Sequence, residues 1–214
     1  MNRFIKLIAH PVIIVLAVLL FDQGFKIWIK TSMYLGEEIP VFGNWFIIHF
    51  TENNGMAFGL ELGAELGKLL LSVFRLVAIG AIAWYLTKIY RSKAPRGVVV
   101  CVSLILAGAL GNIFDSVFYG MIFSDSYNSI ASFMPENGGY APMLFGKVVD
   151  MLYFPLVEGY LPNWLPIWGG DYFIFFRPVF NIADSSITIG VSTLIIFYRN
   201  YFKEEKGSKA PELS

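Results

Sequence analysis

Residues 98–123 read VVVCVSLILAGALGNIFDSVFYGMIF, 26 residues with one charged side chain, Asp115. A helix crossing the hydrocarbon core of a bilayer needs about 20 mostly apolar residues, and this stretch is long enough and apolar enough. Three more stretches qualify: about 11–29, interrupted by Asp22 and Lys26; about 69–90, with Arg75 inside; and about 179–198, holding Asn181 and Asp184. Hydrophobic residues make up 56% of the 214 and charged residues 15%, against about 25% charged in a soluble domain. The mean hydropathy is +0.61. The fold class expected is therefore a mainly α integral membrane protein with four transmembrane helices.

Other classes fall away on composition. The formal net charge is zero, which argues against an electrostatic nucleic-acid binder. One cysteine, Cys101, excludes an intramolecular disulfide framework and a cysteine-rich zinc site. His10 and His49 are far apart and lack metal-binding spacing, so no metal site is expected. The apolar run after Arg3 and Lys6 ends in Asp22-Gln23 with no small-residue cleavage site, so the first span is read as uncleaved.

Basic residues beside the spans set the orientation. The N-terminus, the 88–96 loop and the segment after the fourth span hold 10 of the 16 basic residues and 3 of the 16 acids. Both termini are thus expected to be cytoplasmic. Residues 1–203 form a single membrane domain, 204–214 a short cytoplasmic tail, and the segments 31–67 and 124–178 lie outside. Ile39 to Phe50 is β-branched and aromatic, with turn residues Gly43 and Asn44 between its halves, and predicts a small sheet on the outer leaflet. Trp28, Trp45, Trp164 and Trp168 suit interfacial anchoring.

A charged residue at mid-helix costs about 2.5–3.5 kcal/mol on insertion scales, so intramembrane carboxylates are functional suspects. With this topology Asp22, Asp115 and Asp184 fall in the outer halves of their spans, and Asp150 lies in the outer run KVVDMLYFP. Four carboxylates from four segments thus share one depth. Asn112 and Asp115, and Asn181 and Asp184, are each spaced i,i+3 on one helix face, while Asp22 and Lys26 at i,i+4 can pair. Two carboxylates in a low-dielectric site cannot both ionise easily, so one holds a proton while the other activates water. The residues alone leave three readings: an intramembrane aspartic hydrolase, a proton- or cation-coupled transporter, and a non-catalytic subunit.

The motifs narrow these. DQGFK (22–26), ENNGMAFG (52–59), GNIFDS (111–116), GKVVDML (146–152) and FNIADSSITIG (180–190) resemble, in order, five motifs of the lipoprotein signal peptidase (signal peptidase II) family. The resemblance implies a bacterial inner-membrane aspartic endopeptidase, with a small periplasmic β-cradle on a four-helix bundle and the active site near the periplasmic face. It implies Asp150 and Asp184 as the catalytic pair. Asp22, Lys26, Asn53, Gly55, Asn112, Asp115 and Asn181 match its supporting positions. The implied substrate is a diacylglyceryl-modified prolipoprotein in the phospholipid bilayer, cut before the lipidated cysteine. Globomycin-type peptides are the implied inhibitors, and no cofactor is implied.

Two departures stand out. Ser116 occupies the position of a family arginine, so another cation is expected to replace it, Arg177 first, with Arg75 and Lys147 behind. About two dozen extra residues separate Asp115 from Asp150. This stretch, 121–145, is expected to be a mobile external flap hinged at Gly138-Gly139.

Overall fold

The computed structural model describes residues 10–54, 64–155, 157–175 and 178–202. Four helices dominate: α1 (Pro11–Ser32), α2 (Ala64–Arg91), α3 (Arg96–Phe114) and α4 (Ile182–Phe197). After α3 the chain winds through a π-helical stretch, Asp115–Tyr119, and a last turn, Gly120–Ile122. The strands are β1 (Glu38–Phe42), β2 (Phe46–Asn53), β3 (Val148–Tyr153), β4 (Val157–Tyr160), β5 (Tyr172–Phe175) and β6 (Val179–Phe180).

Three helical stretches, 11–32, 67–91 and 96–122, are long and apolar enough to cross a membrane. Only 17 and 11% of the most apolar windows of the first two are buried, the reverse of what a water-soluble helix does with apolar residues, while the third is 56% buried. On α1, for example, Val12, Leu16 and Leu20 form an exposed stripe at i,i+4 spacing. α4 is apolar but has 16 residues, about 24 Å at 1.5 Å per residue, short of the roughly 30 Å hydrocarbon core.

The expected fourth span begins too early. Val179 and Phe180 are not helical: they form β6 and pair with Tyr153 and Leu152 of β3. β-Branched and aromatic side chains favour that pleated pairing. Asn181 is then the residue before the helix, where an asparagine is well placed, rather than one partner of an i,i+3 helical pair.

The chain folds as two compact units, with boundaries inside α1, α2 and α3. The first comprises residues up to 22, 72–113 and from 182 onward. Its core is Leu86, Ile89, Val98, Val99, Val102 and Leu106. Here α3 and α4 approach through small residues. A Cβ on Gly108 would lie 2.2 Å from the Ala183 carbonyl oxygen, and one on Gly190 would lie 2.7 Å from that of Cys101. Without a hydrophobic drive between helices in lipid, such close backbone packing is the principal source of attraction. Cys101 is buried in this contact, consistent with a packing role.

The second unit comprises 23–71 and 114–181. Its main sheet has the order β1-β2-β3-β6, antiparallel throughout, and β4 and β5 form a separate hairpin. The β1–β2 turn falls at the predicted Gly43-Asn44, with Gly43 at φ +52°. The four tryptophans named above are all exposed. Ile29, Met33, Phe50, Tyr119, Phe123, Val149 and Met151 make the core.

The 121–145 stretch is tied down along its length, against the expectation of a free flap. Met134 N–H donates to Ile122 O, Tyr140 to Phe123 O, Ala141 to Gly120 O, Leu144 to Val117 O and Gly146 to Ser116 O. A π-helical turn alters the usual i→i−4 pairing, and the returning chain supplies donors to its carbonyls. Close approach explains three glycines. A Cβ on Gly139 or Gly146 would sit 2.1 Å from Gly120 O or Asp115 O, and one on Gly120 would sit 2.8 Å from Ala141 O. Gly138-Gly139 therefore serves a positive φ of +82° and tight packing rather than a hinge.

The glycine contact is testable in detergent by thermal unfolding. Gly108→Ala must move backbone and should cost about 1–3 kcal/mol. Gly80 is the control, since a Cβ there would meet nothing within 4 Å: Gly80→Ala should be neutral or stabilising by up to about 1 kcal/mol. Equal unfolding midpoints for the two variants contradict the packing account.

Candidate active site

The carboxylates singled out above fall into two groups, one in each unit. In the second unit, Asp115 opens the π-helical stretch and is fully buried. Its Oδ2 lies 2.8 Å from Lys26 Nζ, itself fully buried, and accepts the Val149 N–H at 3.3 Å. Its Oδ1 accepts Gln23 Nε2 at 2.8 Å, and Gln23 Oε1 accepts the Tyr119 hydroxyl at 3.1 Å. An ion pair out of water is tolerable only when its remaining lone pairs and protons are satisfied, and these bonds do that for the Asp115 carboxylate.

One residue beyond Val149, Asp150 sits on β3 opposite Thr51 of β2 and is 4% exposed. Asn181 Nδ2 donates to its Oδ1 at 2.7 Å and to Val149 O at 3.2 Å. Asn53 Nδ2, at the end of β2, reaches Oδ2 at 3.4 Å. The sheet register thus sets Asp150 between two asparagine amides.

In the first unit, Asp22 is fully buried and its Oδ1 accepts the Ala183 N–H at 2.9 Å. It satisfies one of the orphan donors at the start of α4. Gly111 makes room for it: a Cβ there would lie 2.7 Å from Asp22 Oδ2. Asp184, in the first turn of α4 and half-buried, accepts Asn112 Nδ2 at 2.7 Å. A helix N-terminus favours a carboxylate. The i,i+3 pairs read in the sequence are therefore split between the groups: Asn112 serves Asp184 while Asp115 serves Lys26, and Asn181 serves Asp150. The chain still links them, since Asn181 is three residues before Asp184.

A second buried network was not anticipated. Lys30 and Glu52, 0 and 2% exposed, form an ion pair. Ser126 Oγ accepts from Lys30 Nζ and donates to Glu52 Oε1, both at 2.8 Å. Lys147 Nζ approaches Glu52 Oε2 at 3.1 Å, and its N–H donates to the Tyr140 hydroxyl at 2.7 Å. Lys147 is thus engaged with Glu52. Burial pushes the Glu52 carboxyl up, but the two ammonium groups and Ser126 outweigh it and hold it below the ordinary carboxylate range. Burial also pushes the Tyr140 phenol upward, which keeps it a neutral acceptor. Ser126 and Tyr140 belong to the extra stretch, which therefore braces β2 beside Asn53. The sequence carried one sign of this: Asp22, Lys26 and Lys30 are spaced i, i+4, i+8 along α1.

Ser116 is buried, and its carbonyl takes the Gly146 N–H. Gly55 and Arg177 lie outside the described residues. Among the described residues, no three His, Cys, Asp or Glu side chains cluster as a metal site.

The Glu52 carboxyl has a depressed pKa when folded, so its stabilising contribution is complete above its unfolded value, 4.5, and is lost as pH falls through the lower folded value. Breaking a buried pair costs about 3–5 kcal/mol, so Glu52→Gln should unfold at lower temperature at pH 7. The gap from the unsubstituted protein should close as pH drops below the ordinary carboxylate value. A gap independent of pH contradicts the assignment.

Comparison with known proteins converges on one family. The family model described as signal peptidase (SPase) II matches residues 14–199. A lipoprotein signal peptidase of Porphyromonas gingivalis is 51% identical over 194 residues, covering 90% of this chain and 83% of that protein. One from Amoebophilus asiaticus is 37% identical, covering 86% of this chain and 75% of its own length. A solved bacterial membrane enzyme superposes with a TM-score of 0.54 at 28% identity, covering 95% of this chain and 94% of the other. These relatives give no support to a transporter or a non-catalytic subunit. With five motifs in order, apolar span-length helices and a family match across most of its length, the chain belongs to the signal peptidase II family of lipoprotein-processing aspartic peptidases.

Proposed function

We propose that Asp150 and Asp184 are the carboxylates with which this peptidase cleaves signal peptides from prolipoproteins. The observation that carries the assignment is the kind of partner each carboxylate has. Asp150 is oriented by the amides of Asn181 and Asn53, and Asp184 by the amide of Asn112. Asparagine amides aim each carboxylate while carrying no charge of their own. Asp115 instead faces an ammonium, and Asp22 serves a helix N-terminus, both structural duties.

In this mechanism the two catalytic carboxylates act together on one water. The ionised partner removes a proton from the water, which attacks the scissile carbonyl carbon, and the protonated partner donates to the carbonyl oxygen. The C–N bond of the tetrahedral intermediate then breaks: the carboxyl that took the water's proton gives it to the departing amine, and the other recovers its proton as the carbonyl re-forms.

The substrate reading is a precursor whose cysteine already carries diacylglycerol, cut on the N-terminal side of that cysteine, with globomycin-type peptides competing for the site. The topology proposed is four spans in the bacterial inner membrane, with both termini cytoplasmic and the carboxylates toward the periplasm. α4, short on its own, serves as the fourth span. The charge absent at Ser116 is assigned to Arg177 first, with Arg75 behind it, since Lys147 already serves Glu52.

Asp150→Asn and Asp184→Asn should each lower cleavage of a lipidated precursor by about 10²–10⁴-fold or more while leaving the protein inserted and folded. Near-normal cleavage by either variant removes the pair from the chemistry. For topology, cysteines placed in the 91–96 loop should resist an impermeant thiol reagent in intact cells, and ones near Gly138 should react. Labelling of the loop from outside overturns the orientation.

A further inference from the structure

At the end of the first unit that carries the α2–α3 loop, two cavities adjoin. One, of about 350 Å³, is an apolar groove lined by Val12, Leu16, Ala83, Leu86 and Leu106. The other, of about 710 Å³, is lined by Arg91, Lys93, Arg96 and Val99. His10 and Tyr90 line both, their rings in edge contact at 5.4 Å, so the two spaces share a wall. Both volumes fall in the range of ligand sites, about 300–1,000 Å³.

We propose that this composite cavity is a binding site for a single anionic phospholipid, with an acyl chain in the groove and the headgroup phosphate held by Arg91, Lys93 and Arg96. The chemistry of the two halves is complementary to that molecule and to few others. The groove runs along α1 and α2, whose outward residues are apolar, so it opens onto hydrocarbon. The loop from Lys88 to Arg96 contains four cations and no acid. A basic pocket between transmembrane helices at a bilayer surface is how headgroups are held.

Setting membrane orientation needs basic residues near span ends but no cavity. A second feature also goes beyond orientation. Lys93 has φ +55°, the left-handed conformation at the end of α2, which glycine adopts freely and a lysine only at a cost. Hydrogen bonds on both sides hold it there, from Lys93 N–H to Tyr90 O and from Ala94 N–H to Ile89 O. Glycine is the usual residue in such a helix cap. The ammonium therefore stands where the backbone favours glycine, and the exposed side chain lies in the wall of the basic cavity.

That conflict supplies a clean test, because Lys93→Gly removes the charge while relieving the backbone. The full-length protein, delipidated in detergent, is titrated with dioleoyl phosphatidylglycerol and, separately, with dioleoyl phosphatidylcholine, and bound lipid is counted by native mass spectrometry. The unsubstituted protein should retain one phosphatidylglycerol in preference to phosphatidylcholine. Lys93→Gly should cut that preference about fivefold, and a further Arg91→Gln by a similar factor, with the thermal unfolding midpoint of Lys93→Gly unchanged or raised. Val12→Trp, which fills the mouth of the groove from an exposed position, should weaken retention of both lipids. An undiminished preference in the double variant overturns the proposal. So does displacement of the lipid by glycerol 1-phosphate at equal concentration, which would mean that the groove contributes nothing.

Discussion

The buried ion pair of Lys26 and Asp115 is the constraint on which the second unit depends. Either charge alone at full burial carries a penalty of several kcal/mol. Together, with Gln23 and the Val149 N–H completing Asp115's coordination, they fix α1, the π-helical stretch and β3 to one another. Val149 is the residue before Asp150, so the same bond that satisfies Asp115 sets the height of β3 and with it the neighbouring carboxylate. The π-helical turn is part of this arrangement. It begins at Asp115, and its carbonyls are met by the chain returning from the extra stretch. π-Bulges recur at functional sites, where a local change of register re-aims a side chain.

Residue type alone does not separate the aspartates; their partners do. Asp22 accepts the backbone N–H of Ala183 at the start of α4, and Asp115 meets the Lys26 ammonium. Asp150 and Asp184 meet asparagine amides. The short segment Asn181–Asp184 carries an amide for one of the proposed catalytic carboxylates and is itself the source of the other, and Asp22 binds the N–H of Ala183 inside it. Asn181 and Asp184, three residues apart, therefore bear on both proposed carboxylates.

Much of this was legible in the sequence. The span-length helices follow from apolar length, and the β1–β2 hairpin follows from β-branched residues around Gly43-Asn44. Three features were hidden, each for a physical reason. The boundary between β6 and α4 was invisible because Val179 and Phe180 are as apolar as a span, and only pairing with β3 decides their conformation. The i,i+3 spacing places Asn112 and Asp115 on one helix face but cannot tell that they serve different partners, Asp184 and Lys26. The order of the 121–145 stretch depends on long-range contacts of Gly120, Gly139 and Gly146, whereas composition registers only a glycine-rich loop. The Lys30–Glu52 network was overlooked because its members come from three distant segments, with only the spacing of Lys26 and Lys30 as a local sign.

The central claim is that one pair of aspartates does the chemistry while Asp115 holds the frame. The pH dependence of kcat/KM on a diacylglyceryl precursor tests it most directly, compared between the unsubstituted enzyme and one carrying both Lys26→Met and Asp115→Asn, which replaces the ion pair by neutral groups of similar shape. The account predicts a bell with an acid and a base limb, as two coupled carboxylates in opposite protonation states require, and the same two limbs at reduced height in the substituted enzyme. A profile with a single limb, or a limb that disappears with Asp115, contradicts it.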